Sequence, residues 1–139
     1  QIVTRHSAPE IVRRAERILV VEDNEVNQQV AVGFLRALGY GADLAGDGRQ
    51  ALQALADRSY HLVFMDMQMP VLDGLEATRR WRCIEGAGRH VPIIGLTANA
   101  MDADRDACLA AGMDDWVPKP IQPERLREAI GRVAVPAEA

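Results

Sequence analysis

The sequence predicts an α/β protein: a five-stranded parallel sheet in the order 2-1-3-4-5, with helices on both faces. Three observations lead there. Short apolar runs of strand length alternate with stretches whose apolar residues recur at helical spacing. The runs are apolar throughout rather than alternating, as burial on both faces requires. All but the second end on chemically active residues; the second ends on Ala45-Gly46, which places it at an edge, away from a site at the carboxyl ends of the strands.

Each element has its own warrant. Arg17 to Glu22 reads as the first strand, and Glu25 to Leu38 as a helix carrying Val26, Val30, Phe34 and Leu38 on one face. Gly39-Tyr40-Gly41 stops that helix. Ala42 to Ala45 is a short second strand, and Asp47-Gly48 opens a helix through Leu52 and Leu55. Leu62 to Asp66 is the third strand. Asp73-Gly74-Leu75-Glu76 has the D-x-x-E form of a helix start, and that helix runs to about Cys83. Pro92 to Thr97, a helix from Met101 to Ala111, a strand from Asp115 to Pro118 and a helix from Pro123 to Val133 complete the series. Residues 17–133 are the expected domain, with linkers at 1–16 and 134–139. Within the first linker, Ser7, Pro9 and Glu10 fit the start of a short helix to about Arg14. The chain opens on Gln1 and reads as a segment of something longer.

At 139 residues, with 48% hydrophobic and 26% charged residues, the chain is one domain able to bury a core without staples. A net charge of −4 argues against a nucleic-acid-binding surface. No apolar run approaches the length of a membrane-spanning helix, and no signal peptide is present, so a cytoplasmic module is expected. Cys83 and Cys108 lack metal-site spacing and are expected to be reduced packing residues in helices.

The strand ends carry the chemistry. Glu22 and Asp23 follow the first strand, Asp66 ends the third, Thr97 ends the fourth and Lys119 follows the fifth. Three converging carboxylates would repel one another without a cation. Mg²⁺ suits an all-oxygen site, and no His or Cys stands near to favour zinc. Lys119 can pair with Asp66 and later with a phosphoryl oxygen, and Thr97 offers a hydroxyl. With the metal, these groups could stabilise a phosphoryl group in transfer, and Asp66 would be the nucleophile that forms an aspartyl-phosphate.

The motifs Val20-Val21-Glu22-Asp23-Asn24, Met65-Asp66-Met67-Gln68-Met69-Pro70 with Asp73-Gly74, Leu96-Thr97-Ala98-Asn99 and Lys119-Pro120 resemble those of response-regulator receiver domains, whose fold is flavodoxin-like and CheY-like. The resemblance runs from about Arg17 to Val133. Asn27, Glu76-Ala77-Thr78-Arg79 and Gly112-Met113-Asp114-Asp115 make it most similar to receivers of hybrid sensor histidine kinases. It implies that Asp66 accepts a phosphoryl group from phosphohistidine. It implies Mg²⁺ on Glu22, Asp23, Asp66 and the Gln68 carbonyl, and phosphoryl contacts from Thr97, Lys119 and the amides of Met67 and Ala98. It implies a switch built on Thr97 and Trp116, although the family usually has Tyr or Phe where Trp116 stands, and Trp116 reads equally as a packed core residue. Gln68 and Asn99 would tune dephosphorylation, and Lys119-Pro120 is expected to be cis.

The implied partners are a histidine kinase domain, a histidine-phosphotransfer domain or another regulated protein, with no nucleic acid and no direct membrane contact. Docking is expected around Asp66, Asn27, Val30 and Ile121. The parent would be a histidine kinase, including a membrane-bound sensor. No output segment follows Val133, which favours a relay. Self-phosphotransfer and autodephosphorylation are the only catalysis expected. Two other readings stay open: a receiver that sequesters a protein without phosphorylation, and a haloacid-dehalogenase-type phosphatase, which would want an Asp where Gln68 stands.

Other patterns read as structural. Asp102, Asp104 and Asp106 imitate a calcium loop, but Ala107 and Met113 occupy its glycine and final glutamate positions, so these acids favour a helix N-terminus instead. Arg79-Arg80-Trp81-Arg82 reads as a helix with exposed arginines and an inward Trp81. His6, His61 and His90 lack catalytic companions.

Overall fold

The strands observed are β1 (Arg17–Val21), β2 (Gly41–Ala45), β3 (Leu62–Asp66), β4 (Ile93–Thr97) and β5 (Asp115–Pro118), all parallel, in the order β2-β1-β3-β4-β5. The computed structural model describes residues 17–69, 71–86, 90–98 and 102–138. Helices α1 (Glu25–Ala37), α2 (Gly48–Asp57), α3 (Gly74–Glu85), α4 (Asp102–Ala111) and α5 (Pro123–Glu138) connect and follow the strands. The expected helix from Ser7 lies outside the described residues.

Strand side chains alternate between the two faces, and each face is covered by its own helices. Leu19, Val21, Val63, Met65 and Ile93 pack with Ala51 and Leu55 of α2, Ala77 of α3 and Cys108 of α4. Ile18, Val20, Phe64, Ile94 and Leu96 pack on the other face with Leu35 of α1 and with Leu126 and Ile130 of α5. The unbroken apolar runs are therefore what a sheet between two helical layers demands. β2 lies at the edge, as its ending on Ala45-Gly46 predicts, with Leu44 exposed.

Helix starts follow the predicted chemistry. The side chains of Asn24, Asp47 and Asp73 each accept a hydrogen bond from the amide three residues on, which begins α1, α2 and α3. Gly39 takes φ +97° just after α1, a left-handed turn that glycine allows cheaply.

Three expectations need correction. The last helix does not end at Val133 but continues to Glu138. Ala and Glu are good helix formers, and Pro136 falls late enough to interrupt little of the ladder. Cys83 is exposed, so only Cys108 is a packing residue; both are free. Arg82 is not a solvated arginine: its side chain is only 16% exposed and is engaged by Gly112 and Asp114 in the turn before β5, by Val91 and by Glu85. Among the described residues no helix is long and apolar enough to cross a membrane.

Candidate functional site

The parallel register brings the carboxyl ends of β1, β3, β4 and β5 to one rim. Asp66 is the last residue of β3 and pairs with Leu96, so Thr97 extends one step beyond it on the neighbouring strand. Glu22 follows β1, and its amide still donates to the Ala45 carbonyl over 3.0 Å, which fixes the backbone where the strand ends. Lys119 follows β5, and its amide donates to the Thr97 carbonyl over 2.7 Å. The Lys119-Pro120 bond is cis, as expected.

Glu22, Asp66 and Thr97 are buried; Asp23 is exposed. The Lys119 ammonium lies 3.0 Å from Glu22 Oε1 and 3.1 Å from Asp66 Oδ2. Asp66 Oδ1 accepts from the Gln68 amide over 3.2 Å, and Glu22 Oε2 accepts from the Asn24 amide over 3.2 Å. Burial pushes the Asp66 carboxyl up, Lys119 opposes that, the Glu22 charge adds to it, and the result is about 6. Burial also pushes Glu22 up, but the Lys119 ammonium and the Asn24 amide outweigh it and hold Glu22 below its ordinary value. Lys119 loses stability as a cation through burial and regains more from the two carboxylates, so its value is raised.

One cation thus faces two buried anions, with Asp23 beside them. Carboxylate oxygens of Glu22, Asp23 and Asp66 lie within 4.8 Å of one another. Glu22 Oε1 is buried and, among the described residues, has no directed hydrogen bond; the Lys119 ammonium is near it in ion-pair range but not aligned to donate. One ammonium shared by two buried carboxylates, with Asp23 beside them, leaves surplus negative charge that is costly to hold there. A hard divalent cation on the three oxygens would offset it, so the residues present fit such an ion.

Gly74 shows how closely the rim is packed. A Cβ there would lie 2.0 Å from the Asp66 carbonyl oxygen, while the Gly74 amide donates to the Met67 carbonyl over 3.0 Å. The start of α3 is pressed directly onto the end of β3.

Glu22, Asp23, Asp66, Thr97 and Lys119 gather as the sequence predicts. Gln68 and Ala98 are exposed at the rim, and Asn99 lies outside the described residues. The Met67 amide already donates to the Leu96 carbonyl over 3.1 Å, so the amide placed toward the carboxylate is that of Gln68. Trp116 is half-buried, opposite Gly95 in register, and packs on the α2–α4 side of the core. Asp104, read from sequence as a helix-start acid, accepts from the Thr97 hydroxyl over 3.2 Å. Sequence spacing between the two residues carries no hint of that contact.

The family model of the response regulator receiver domain matches residues 18–131. This chain belongs to that family. The two-component response regulator ORR41 of Oryza sativa subsp. japonica is 45% identical over 118 residues, which are 82% of this chain and 91% of that protein. Hybrid signal transduction histidine kinase K of Dictyostelium discoideum is 42% identical over 120 residues. The match takes in 82% of this receiver chain and spans 10% of that kinase's length.

Among solved structures, this receiver resembles the receiver domain of the Pseudomonas aeruginosa sensor histidine kinase PA1611, crystallised with a magnesium ion coordinated in the active-site cleft. The TM-score is 0.79 at 45% identity, covering 87% of this chain and 98% of that one. It also resembles a chain from the co-crystal of the Saccharomyces cerevisiae histidine phosphotransfer protein Ypd1 and the receiver domain of its response regulator Ssk1. There the TM-score is 0.82 at 31% identity, covering 91% and 93%. The role that follows from the family is two-component signalling.

Proposed function

We propose that Asp66 takes a phosphoryl group from phosphohistidine on a partner domain, with Mg²⁺ bound, and either relays it or uses it to switch a protein interaction. The observation that carries this reading is one half-buried ammonium shared by two buried carboxylates, with a third carboxylate beside them. The magnesium in the PA1611 receiver supports the same ion on Glu22, Asp23 and Asp66 here, with the Gln68 carbonyl as a further ligand. The Ypd1–Ssk1 co-crystal supports a histidine-phosphotransfer domain as the partner. A hybrid kinase relative supports a parent of that kind.

When bound, the ion would supply positive charge to the phosphoryl oxygens and lower the cost of ionising Asp66. The chain's own groups do the rest. An ionised Asp66 oxygen attacks phosphorus as the bond from phosphorus to the histidine nitrogen breaks. The imidazole leaves with the bonding pair and regains a proton, and an acyl phosphate remains on Asp66. Lys119 is already in place, 3.1 Å from Asp66, to turn its charge to a phosphoryl oxygen. Thr97 supplies a hydroxyl, and the Gln68 and Ala98 amides lie at the rim that the phosphoryl group would enter. Gln68 and Asn99, each two residues beyond Asp66 and Thr97 in sequence, would tune the later hydrolysis. Residues Val26 and Val30 of α1, both exposed, extend the docking rim from Asn27.

The test is phosphoryl transfer from a phosphorylated histidine-phosphotransfer protein, with Mg²⁺ or with chelator. Label should leave the donor and appear on this chain only with Mg²⁺. Equal labelling in chelator would contradict the metal-assisted reading.

A further inference from the structure

Thr97 shares the side-chain parity of Ile93 and Gly95, so it belongs to the sheet face that α2, α3 and α4 cover. On that face its hydroxyl donates to Asp104 Oδ2 in the first turns of α4, over 3.2 Å, and Thr97 is only 3% exposed. A hydroxyl has one proton to give. A phosphoryl oxygen on Asp66 would ask for the same proton. None of the ion pairs among the described residues uses Asp104. Its charge therefore stands one hydroxyl away from a site that would receive a group carrying about −2.

We propose that Asp104 is a positioning residue: it holds the Thr97 hydroxyl in the resting protein and is exchanged for a phosphoryl oxygen when Asp66 is phosphorylated. The proposal rests on the reading of Asp66 as phosphoacceptor. Its consequence is that the first turns of α4 report the phosphorylation state directly, through the loss of one contact. A protein whose Thr97 must first leave Asp104 takes up phosphoryl groups less readily than one whose Thr97 is released.

The experiment measures phosphoryl uptake by the full chain from phosphoramidate with Mg²⁺, in wild type and in Asp104→Ala, Asp104→Asn, Thr97→Ala and the double variant Thr97→Ala/Asp104→Ala. Asp104→Ala should speed uptake about tenfold, the scale of one charge-assisted hydrogen bond. Asp104→Asn keeps an acceptor without the charge and should gain about threefold. In the Thr97→Ala background, Asp104→Ala should change nothing. Unchanged uptake in Asp104→Ala overturns the proposal, and so does an equal gain without Thr97, which would be a plain charge effect. A second readout needs no phosphoryl group: three-bond couplings of Thr97 in the resting protein. One side-chain rotamer in wild type that becomes averaged in Asp104→Ala supports the hold, and averaging already in wild type overturns it. If wild type takes up no phosphoryl group at all, the phosphoacceptor reading falls, and the couplings still decide whether Asp104 holds Thr97.

Discussion

Gly74 and Gly33 are the same residue type in helices, but they meet opposite surroundings. A Cβ at Gly74 would collide with the Asp66 backbone at 2.0 Å, and one at Gly33 meets nothing within 4 Å. Gly74→Ala is expected to destabilise by about 3 kcal/mol and to impair phosphoryl uptake by displacing the end of β3. Gly33→Ala should stabilise α1 by about 0.5–1 kcal/mol with uptake unchanged. Denaturant unfolding of both variants checks the pair; equal effects would contradict it. At this scale the site is largely legible in the sequence, because Glu22, Asp66 and Lys119 each follow an apolar run and parallel strands deliver their ends to one rim. The contact from Thr97 to Asp104 is not legible. It depends on how α4 is rotated against the end of β4, which no periodicity encodes.

Elements are joined by side chains whose burial the sequence misstates. Arg82 sits in a run of arginines on α3, yet it clamps the turn before β5. Its Nε donates to the Gly112 carbonyl, Nη1 to the Val91 carbonyl and to Glu85, and Nη2 to Asp114, each at 2.9 Å. A helix wheel cannot tell Arg82 from Arg79, because what separates them is the tertiary turn above one of them. Arg82→Ala leaves Asp114 and Glu85 without their cation and should cost about 3 kcal/mol. Arg79→Ala, at an exposed pair with Glu76, should cost under about 0.5 kcal/mol. Thermal unfolding separates these outcomes, and similar losses would refute the distinction.

A second tie joins β1, β2 and the entry to β3. Asp43 accepts from Arg17, from Arg58 over 3.1 Å and from the Tyr60 hydroxyl over 2.7 Å. Burial pushes the Asp43 carboxyl up, but the Arg17 and Tyr60 hydrogen bonds outweigh it and hold it below its ordinary 3.8. The Tyr60 hydroxyl is pushed up to about 12, by burial first and by the Asp43 hydrogen bond second. With Asp43 depressed in the fold, its stabilisation is present above 3.8 and fades as pH falls through the folded value. With Tyr60 raised, its stabilisation is present below its ordinary 10.0 and fades as pH climbs toward 12. Tyr60→Phe should cost about 1 kcal/mol at neutral pH, a hydrogen bond to a charged group discounted for partial exposure. It should also lessen the loss of stability between pH 10 and 12. Denaturation across that range tests it, and an unchanged alkaline limb would count against it.

For the whole molecule, the order β2-β1-β3-β4-β5 decides function by position. It sets β1 and β3 side by side at the centre, so Glu22 and Asp66 end together, and flanks them with β4 and β5, which bring Thr97 and Lys119. The edge strand β2 brings none of these side chains and is tied to the sheet through Asp43. This level was readable because unbroken apolar runs imply cover on both faces, and only a parallel sheet with crossover helices supplies it. The end of α5 was not, since Pro136 and small residues look like a linker while the backbone stays helical to Glu138. The central claim is that this arrangement makes Asp66 the phosphoacceptor. Its most direct test is labelling of Asp66→Asn beside wild type, from a phosphohistidine donor with Mg²⁺. The account predicts a labelled wild type and an unlabelled variant that remains folded; equal labelling of the two would contradict it.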